Sequence, residues 1–270
     1  MDQPMSSGQP PPRAEGEVLR AEQVVVKFGS KTVLDRMSLS LEAGENVAIL
    51  GGSGTGKSVF LKLVVGLLAP NEGSIHLWGQ PTEGLDEDAW TPFRRRMGMV
   101  FQSGALFDSM SVFENIAFPL RQWGDRDEDA ITKRVEECLT WVDLDGVGHQ
   151  SPSELSGGMR RRVALARTIS FEPEFVLYDE PTTGLDPVTA RKISRLIRDL
   201  DRKLSSTSIL VTHDIECART VASRWAYLAG GKIVADGTPD ELLSSGDEEL
   251  REFLLGGDPA RELPLGRKGQ

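Results

Sequence analysis

Residues 51–58 read Gly51-Gly52-Ser53-Gly54-Thr55-Gly56-Lys57-Ser58. The spacing is G-x-x-x-x-G-K-[ST], and its setting gives it meaning. Asn46 to Leu50 predicts a short apolar strand upstream, and Lys57 to Leu68 predicts a helix downstream. Glycines let successive backbone N–H groups turn inward around phosphate oxygens. The start of the helix adds positive potential. Lys57 is placed to reach the β- and γ-phosphates of a nucleotide, and Ser58 to offer a hydroxyl to Mg2+.

Working outward, Phe175-Val176-Leu177-Tyr178-Asp179-Glu180 is an apolar run ending in two carboxylates. It reads as a central parallel strand, covered on both faces. Asp179 is placed to hold Mg2+ and Glu180 to take a proton from an attacking water. Ser208 to Thr212 predicts a second buried strand, and Asp186 to Leu204 a long amphipathic helix. Strands are also expected over Val18 to Phe28, Lys31 to Leu41, 73–80 and Met97 to Gln102, and two more around Gly230-Gly231. A short helix is expected over Gly84 to Arg96. Ser111 to Trp123, Asp127 to Asp143 and Leu155 to Phe171 carry apolar residues at helical spacing. The pattern is α/β. The expected division is a tail over 1–17, a nucleotide-binding core over 18–102 and 171–238, a helical subdomain over 103–170, and a C-terminal helix and tail over 239–270.

Composition narrows the class further. The 270 residues carry 41 acidic and 31 basic side chains, a net charge of −10 that argues against a nucleic-acid partner. Two cysteines, Cys138 and Cys217, cannot build a disulfide framework and fit a reducing compartment. The strongest apolar stretch, Val59 to Pro70, is short and holds Lys62, whereas a membrane span needs ~20 apolar residues. The N-terminal stretch is rich in Pro, Ser and Gly and lacks the order of a signal peptide. His76 and His149 belong to no motif.

Leu155-Ser156-Gly157-Gly158-Met159-Arg160 opens a second glycine-led helix, a second candidate anion site. One nucleotide has one triphosphate, so a single phosphate loop has no use for it. Here the chain resembles the ABC ATPase family over about residues 18–238: a P-loop NTPase with a RecA-like core, an antiparallel β subdomain and a helical insert. The resemblance implies ATP and Mg2+ as ligands and hydrolysis with Glu180 as general base. It implies that Ser156, Gly157 and Gly158 contact ATP bound to a second copy of the chain. It further matches Phe28 to the aromatic that stacks on adenine, and Gln102 to the glutamine that senses Mg2+ and the γ-phosphate. Asp186, in Thr183-Gly184-Leu185-Asp186, matches the loop that passes between subunits, and His213 the switch histidine at the γ-phosphate. Met159 stands where many relatives have Gln, and 236–270 is too short for the regulatory domain of some sugar importers.

Three longer stretches, 51–68, 101–121, and 155–169 with 179–190, resemble the ATPase of Mla/Mce-type phospholipid transporters. That resemblance implies an integral membrane permease, an MCE-type lipid-binding subunit and a small accessory subunit as partners. It also implies a peripheral position on the cytoplasmic face of the inner membrane. Ala105, Leu106, Phe107 and Met110 match the place where family members receive the permease's coupling helix. The alternatives are a polar amino-acid importer ATPase, which shares the core, and a soluble ABC ATPase. A P-loop kinase or GTPase would lack the Ser156 helix.

Overall fold

A computed structural model describes residues 16–123 and 127–255. The tail expected at the N-terminus falls, apart from Gly16 and Glu17, outside the described residues, as does the chain after Leu255. The strands are β1 (Glu17–Phe28), β2 (Lys31–Glu42), β3 (Asn46–Leu50), β4 (Glu72–Leu77), β5 (Gln80–Pro81), β6 (Met97–Val100), β7 (Phe175–Asp179), β8 (Thr207–Thr212), β9 (Arg224–Ala229) and β10 (Lys232–Gly237). The helices are α1 (Lys57–Val64), α2 (Glu87–Arg94), α3 (Val112–Trp123), α4 (Glu128–Trp141), α5 (Gly157–Ile169), α6 (Pro187–Leu204), α7 (Ile215–Val221), α8 (Pro239–Leu243) and α9 (Glu248–Leu255).

Two sheets carry the chain. One is antiparallel, in the order β2-β1-β4-β5; the other runs β10-β9-β3-β8-β7-β6. In the second, β9, β3, β8, β7 and β6 are parallel, and β10 closes the edge antiparallel. Its central strands read as unbroken apolar runs because both faces are covered. Val47 and Ile49, Phe175 and Leu177, and Ile209 and Val211 pack toward the four-stranded sheet with α1 and α2. Their neighbours Ala48 and Leu50, Val176 and Tyr178, and Leu210 pack into the other core, among α3 to α9. Successive side chains of a strand point to opposite faces, so one short run serves both layers.

Local chemistry sets the helix ends. Ser156 caps α5 by accepting from the Met159 N–H at 3.2 Å. Asp186 caps α6 from Val188 and Thr189, with Pro187 in the first turn, and α6 buries Ile193, Ile197, Leu200 and Leu204 along one stripe. Two expectations are corrected. The strand read over 73–80 is a tight hairpin: Trp78 and Gly79 both have positive φ (49° and 73°), which reverses the chain between β4 and β5. Trp78 is held there by its ring, with the Arg96 guanidinium 3.8 Å above it. The helical stretch from Pro239 to Leu255 breaks in two at Ser244–Asp247, since the Thr238 capping box starts a helix of only five residues. Cys138 and Cys217 are buried and unbonded to each other, and burial pushes the Cys217 thiol up to about 12. Among the described residues no helix is long and apolar enough to cross a membrane.

Candidate functional site

Four adjacent parallel strands end together and hand their next residues to one cleft. The register pairs Leu50 of β3 with Thr212 of β8, Asp179 of β7 with Val211 of β8, and Val100 of β6 with Tyr178 of β7. The chain leaves β3 into the 51–58 loop, β8 into His213, β7 into Glu180 and β6 toward Gln102. The carboxyl ends of parallel strands are where open α/β sheets bind ligands. The cleft holds about 750 Å3 and is lined by Phe28, Ser53, Gly54, Gly56, Lys57, Ser58, Gln102, Glu180, Thr183 and His213, among others. Phe28 reaches it from the antiparallel sheet as a half-exposed ring (50%).

The loop is built for close backbone approach. A Cβ on Gly51 would stand 2.5 Å from the Leu228 carbonyl oxygen, and one on Gly56 (φ 108°) 2.8 Å from Leu34 Cδ2. Helices α2, α4, α5, α6, α7 and α8 each start with a side-chain oxygen that accepts from first-turn N–H groups. Helix α1 starts at Gly56 with no such acceptor and no acid in its first turn. Its leading N–H groups therefore face the cleft as an anion site.

Lys57 is nearly buried. Its Nζ donates to the Gly51 and Gly52 carbonyls at 2.8 and 2.9 Å and lies 3.6 Å from Glu180 Oε1. Burial holds its pKa below the usual lysine value, against the raising effect of the Glu180 charge. Glu180 is itself buried and sits at φ 48°, a left-handed conformation costing a non-glycine residue about 1–3 kcal/mol. Its Oε2 is 2.9 Å from His213 Nδ1 and accepts from Thr183 Oγ1 at 3.0 Å, with Thr212 Oγ1 at 3.5 Å.

Ser58 Oγ donates to Asp179 Oδ1 at 2.8 Å. Burial raises the Asp179 pKa, with the Ser58 bond working the other way. A hydroxyl and a buried carboxylate beside a phosphate loop form a hard-oxygen donor set. Among the described residues no cluster of three or more His, Cys, Asp or Glu side chains could cage a metal alone. The set therefore suits Mg2+, which takes one or two protein oxygens and completes its shell with phosphate and water.

Ser156, Gly157, Gly158 and Asp186 are not among the residues lining this cleft. The start of α5 instead approaches the residues on either side of Asp186: a Cβ on Gly157 would be 3.8 Å from Leu185 Cδ2, and one on Gly158 2.8 Å from Thr189 Cγ2. Ser156 and Gly157 are exposed. The hydroxyl of Thr183 toward Glu180 was not singled out from sequence; its signal is the three-residue spacing across the turn after β7.

A triphosphate cradle and a buried acid paired with a histidine, grouped at the carboxyl edge of a parallel sheet, define a nucleoside triphosphatase. Residues 34–183 match the ABC transporter family. The chain belongs to that family and is an ATP-hydrolysing cassette. It is 41% identical over 239 residues to the intermembrane phospholipid transport system ATP-binding protein MlaF of Haemophilus influenzae, covering 88% of this chain and 90% of that one. It is 39% identical to the probable ribonucleotide transport ATP-binding protein mkl of Mycobacterium leprae, covering 89% of this chain and 70% of that one. Its fold is similar to a dimeric ATP-binding cassette, MJ0796, solved in a post-hydrolysis state with ADP and Pi. That likeness has a TM-score of 0.74 and 34% identity over 82% of this chain and 98% of that one.

Proposed function

We propose that this chain is the ATPase subunit of an intermembrane phospholipid transporter, hydrolysing ATP with Mg2+ in a sandwich of two copies. The observation that carries the catalytic reading is the convergence of Lys57, Glu180 and His213 on one cleft. The cargo follows from the 41% identity to a relative named for phospholipid transport.

In this reading adenine stacks on Phe28 and the triphosphate lies in the 51–58 loop. Lys57 turns from the Gly51 and Gly52 carbonyls to the β- and γ-phosphates. Ser58, Asp179 and Gln102 would hold Mg2+, which when bound neutralises charge on the phosphate oxygens. Glu180 accepts a proton from water as the water oxygen bonds to the γ-phosphorus. The bond from that phosphorus to the bridging oxygen breaks, and ADP leaves. His213 steadies Glu180 through Nδ1 and positions the γ-phosphate. Ser156, Gly157, Gly158 and Asp186 of each copy complete the site of the other, consistent with their position outside the chain's own cleft.

Residues 18–102 with 171–238 form the nucleotide-binding core on this reading, and 103–170 the helical part that meets a membrane permease. The exposed rings of Phe107 and Phe118, centroids 4.9 Å apart, support that contact. An MCE-type lipid-binding subunit and a small accessory subunit complete the complex, with this chain peripheral on the cytoplasmic face of the inner membrane. Purifying the complex from native membranes in detergent and identifying bound small molecules by mass spectrometry tests the cargo. Phospholipid in the complex and ATPase activity stimulated by phospholipid vesicles are expected. Ribonucleotide as cargo, as the mkl name would suggest, or an amino-acid-binding partner with no lipid stimulation, would overturn it.

A further inference from the structure

Helix α5 starts outside the cleft at Ser156, yet it reaches the cleft's loops from behind through Arg161. This side chain is 7% exposed. Its Nη1 donates to the carbonyl of Phe101 at 3.0 Å and to that of Gln102, and its Nη2 to the carbonyl of Thr183 at 3.4 Å. Among the described residues no carboxylate pairs with it, and burial holds its pKa below the usual arginine value. A buried cation without a counter-charge is costly unless its donors are satisfied. Here backbone oxygens of two separate loops satisfy them, and a guanidinium fixes its acceptors in a planar fork.

Both loops lead to the chemistry. One carries Gln102, two residues after β6. The other carries Thr183, whose carbonyl takes the Arg161 bond while its hydroxyl donates to Glu180 Oε2 at 3.0 Å. One turn earlier on the same helix, Gly157 and Gly158 lie against Leu185 and Thr189. Arg167, further along α5, contrasts with this: it donates to the Gly104 and Ala105 carbonyls, both in the loop after Gln102.

We propose that Arg161 is a positioning residue for hydrolysis. It ties the backbone at Gln102 and the Thr183–Glu180 turn to the Ser156 end of α5, so that engagement of α5 by a second copy's nucleotide resets both loops together. The inference rests on the roles proposed for Gln102 and Glu180. Arg161 touches neither nucleotide nor water itself and acts through backbone.

The test uses the full chain and three readouts: fluorescent-nucleotide affinity, kcat and KM for ATP, and melting temperature. Arg161→Gln and Arg161→Lys can each serve one loop but not bridge both. Both are expected to keep nucleotide affinity and KM within about threefold, while kcat falls about 10–100-fold, the scale of a small misplacement of catalytic groups. The decisive measurement is a double-variant cycle. Arg161→Gln combined with Gln102→Ala is expected to turn over no more slowly than the slower single variant, because both disable one unit. Multiplying losses would overturn the proposal. So would wild-type kcat in the Arg161 variants, a kcat loss matched by an equal loss of nucleotide affinity, or failure of both variants to fold. Glu180→Gln serves as the separating control. If it hydrolyses normally, the active-site reading falls; if it is slow while both Arg161 variants are normal, this inference alone falls.

Discussion

Nδ1 of His213 lies 2.9 Å from Oε2 of Glu180, and the two residues come directly after neighbouring strands, β8 and β7, whose ends are in register. On the other side of the same carboxylate, Oε1 stands 3.6 Å from Lys57 Nζ. The acid thus lies between the lysine of the 51–58 loop and the histidine that follows β8.

Glu180→Gln removes the proton acceptor and keeps the shape. Loss of a general base costs about 10²–10⁴-fold in rate. Turnover should fall by that range with nucleotide affinity retained, and size-exclusion chromatography with ATP should show an accumulated dimer. Turnover close to wild type would reject Glu180 as the base.

Lys57→Ala and Ser156→Arg test the two halves of the proposed shared site. Lys57 faces its own cleft; Ser156 lies outside it. The first variant should lose nucleotide binding in equilibrium titration. The second should bind normally and lose hydrolysis, because a long cation at an exposed helix start obstructs the partner. Equal loss of binding in both would contradict the sandwich.

Phe28 is half exposed at the cleft rim, so its removal costs little folding stability. Stacking of a base on an aromatic ring is worth about 1–3 kcal/mol by alanine substitution. Phe28→Ala should weaken ATP affinity by about 5–150-fold, and Phe28→Tyr should leave it unchanged. Calorimetric titration of both variants decides the point.

Asp201 sets a pH dependence of stability unrelated to catalysis. It is buried, accepts from Tyr178, Ser206 and Ser208 at 2.7, 3.1 and 2.8 Å, and is pushed up to about 6 by burial, against an ordinary 3.8. Between those pH values the folded chain holds a proton that the unfolded chain has released. Its contribution is therefore full below about pH 4 and is lost as pH rises through 6. A gap of about two pH units corresponds to about 3 kcal/mol. Denaturant unfolding of wild type and Asp201→Asn at pH 4 to 8 should show their stability difference shifting against wild type by up to that amount. A difference independent of pH would show that Asp201 ionises freely in the fold.

What the sequence determined by itself was local. The 51–58 loop is contiguous, and its glycines, lysine and serine act within one turn of chain. The same holds for the caps: Ser156 before α5 and Asp186 before α6 bond N–H groups two or three residues on. The apolar runs at 46–50, 175–179 and 208–212 announced covered strands because both of their faces are buried.

Tertiary structure decided what depends on residues far apart in the chain. Nothing local orders β3, β8, β7 and β6 side by side, yet that order brings Lys57, His213, Glu180 and Gln102 to one edge. Trp78 adopts a left-handed conformation where residues 73–80 alone suggest a strand, because its ring is held under Arg96. Nothing in the run Arg160-Arg161-Arg162 sets Arg161 apart until two loops from distant parts of the chain bring their carbonyls to it. A phosphate loop is a pattern of neighbours and survives in one dimension. The acid Glu180, its histidine and the arginine behind them are pairings between distant parts of the chain, and only the folded chain brings those partners within bonding distance.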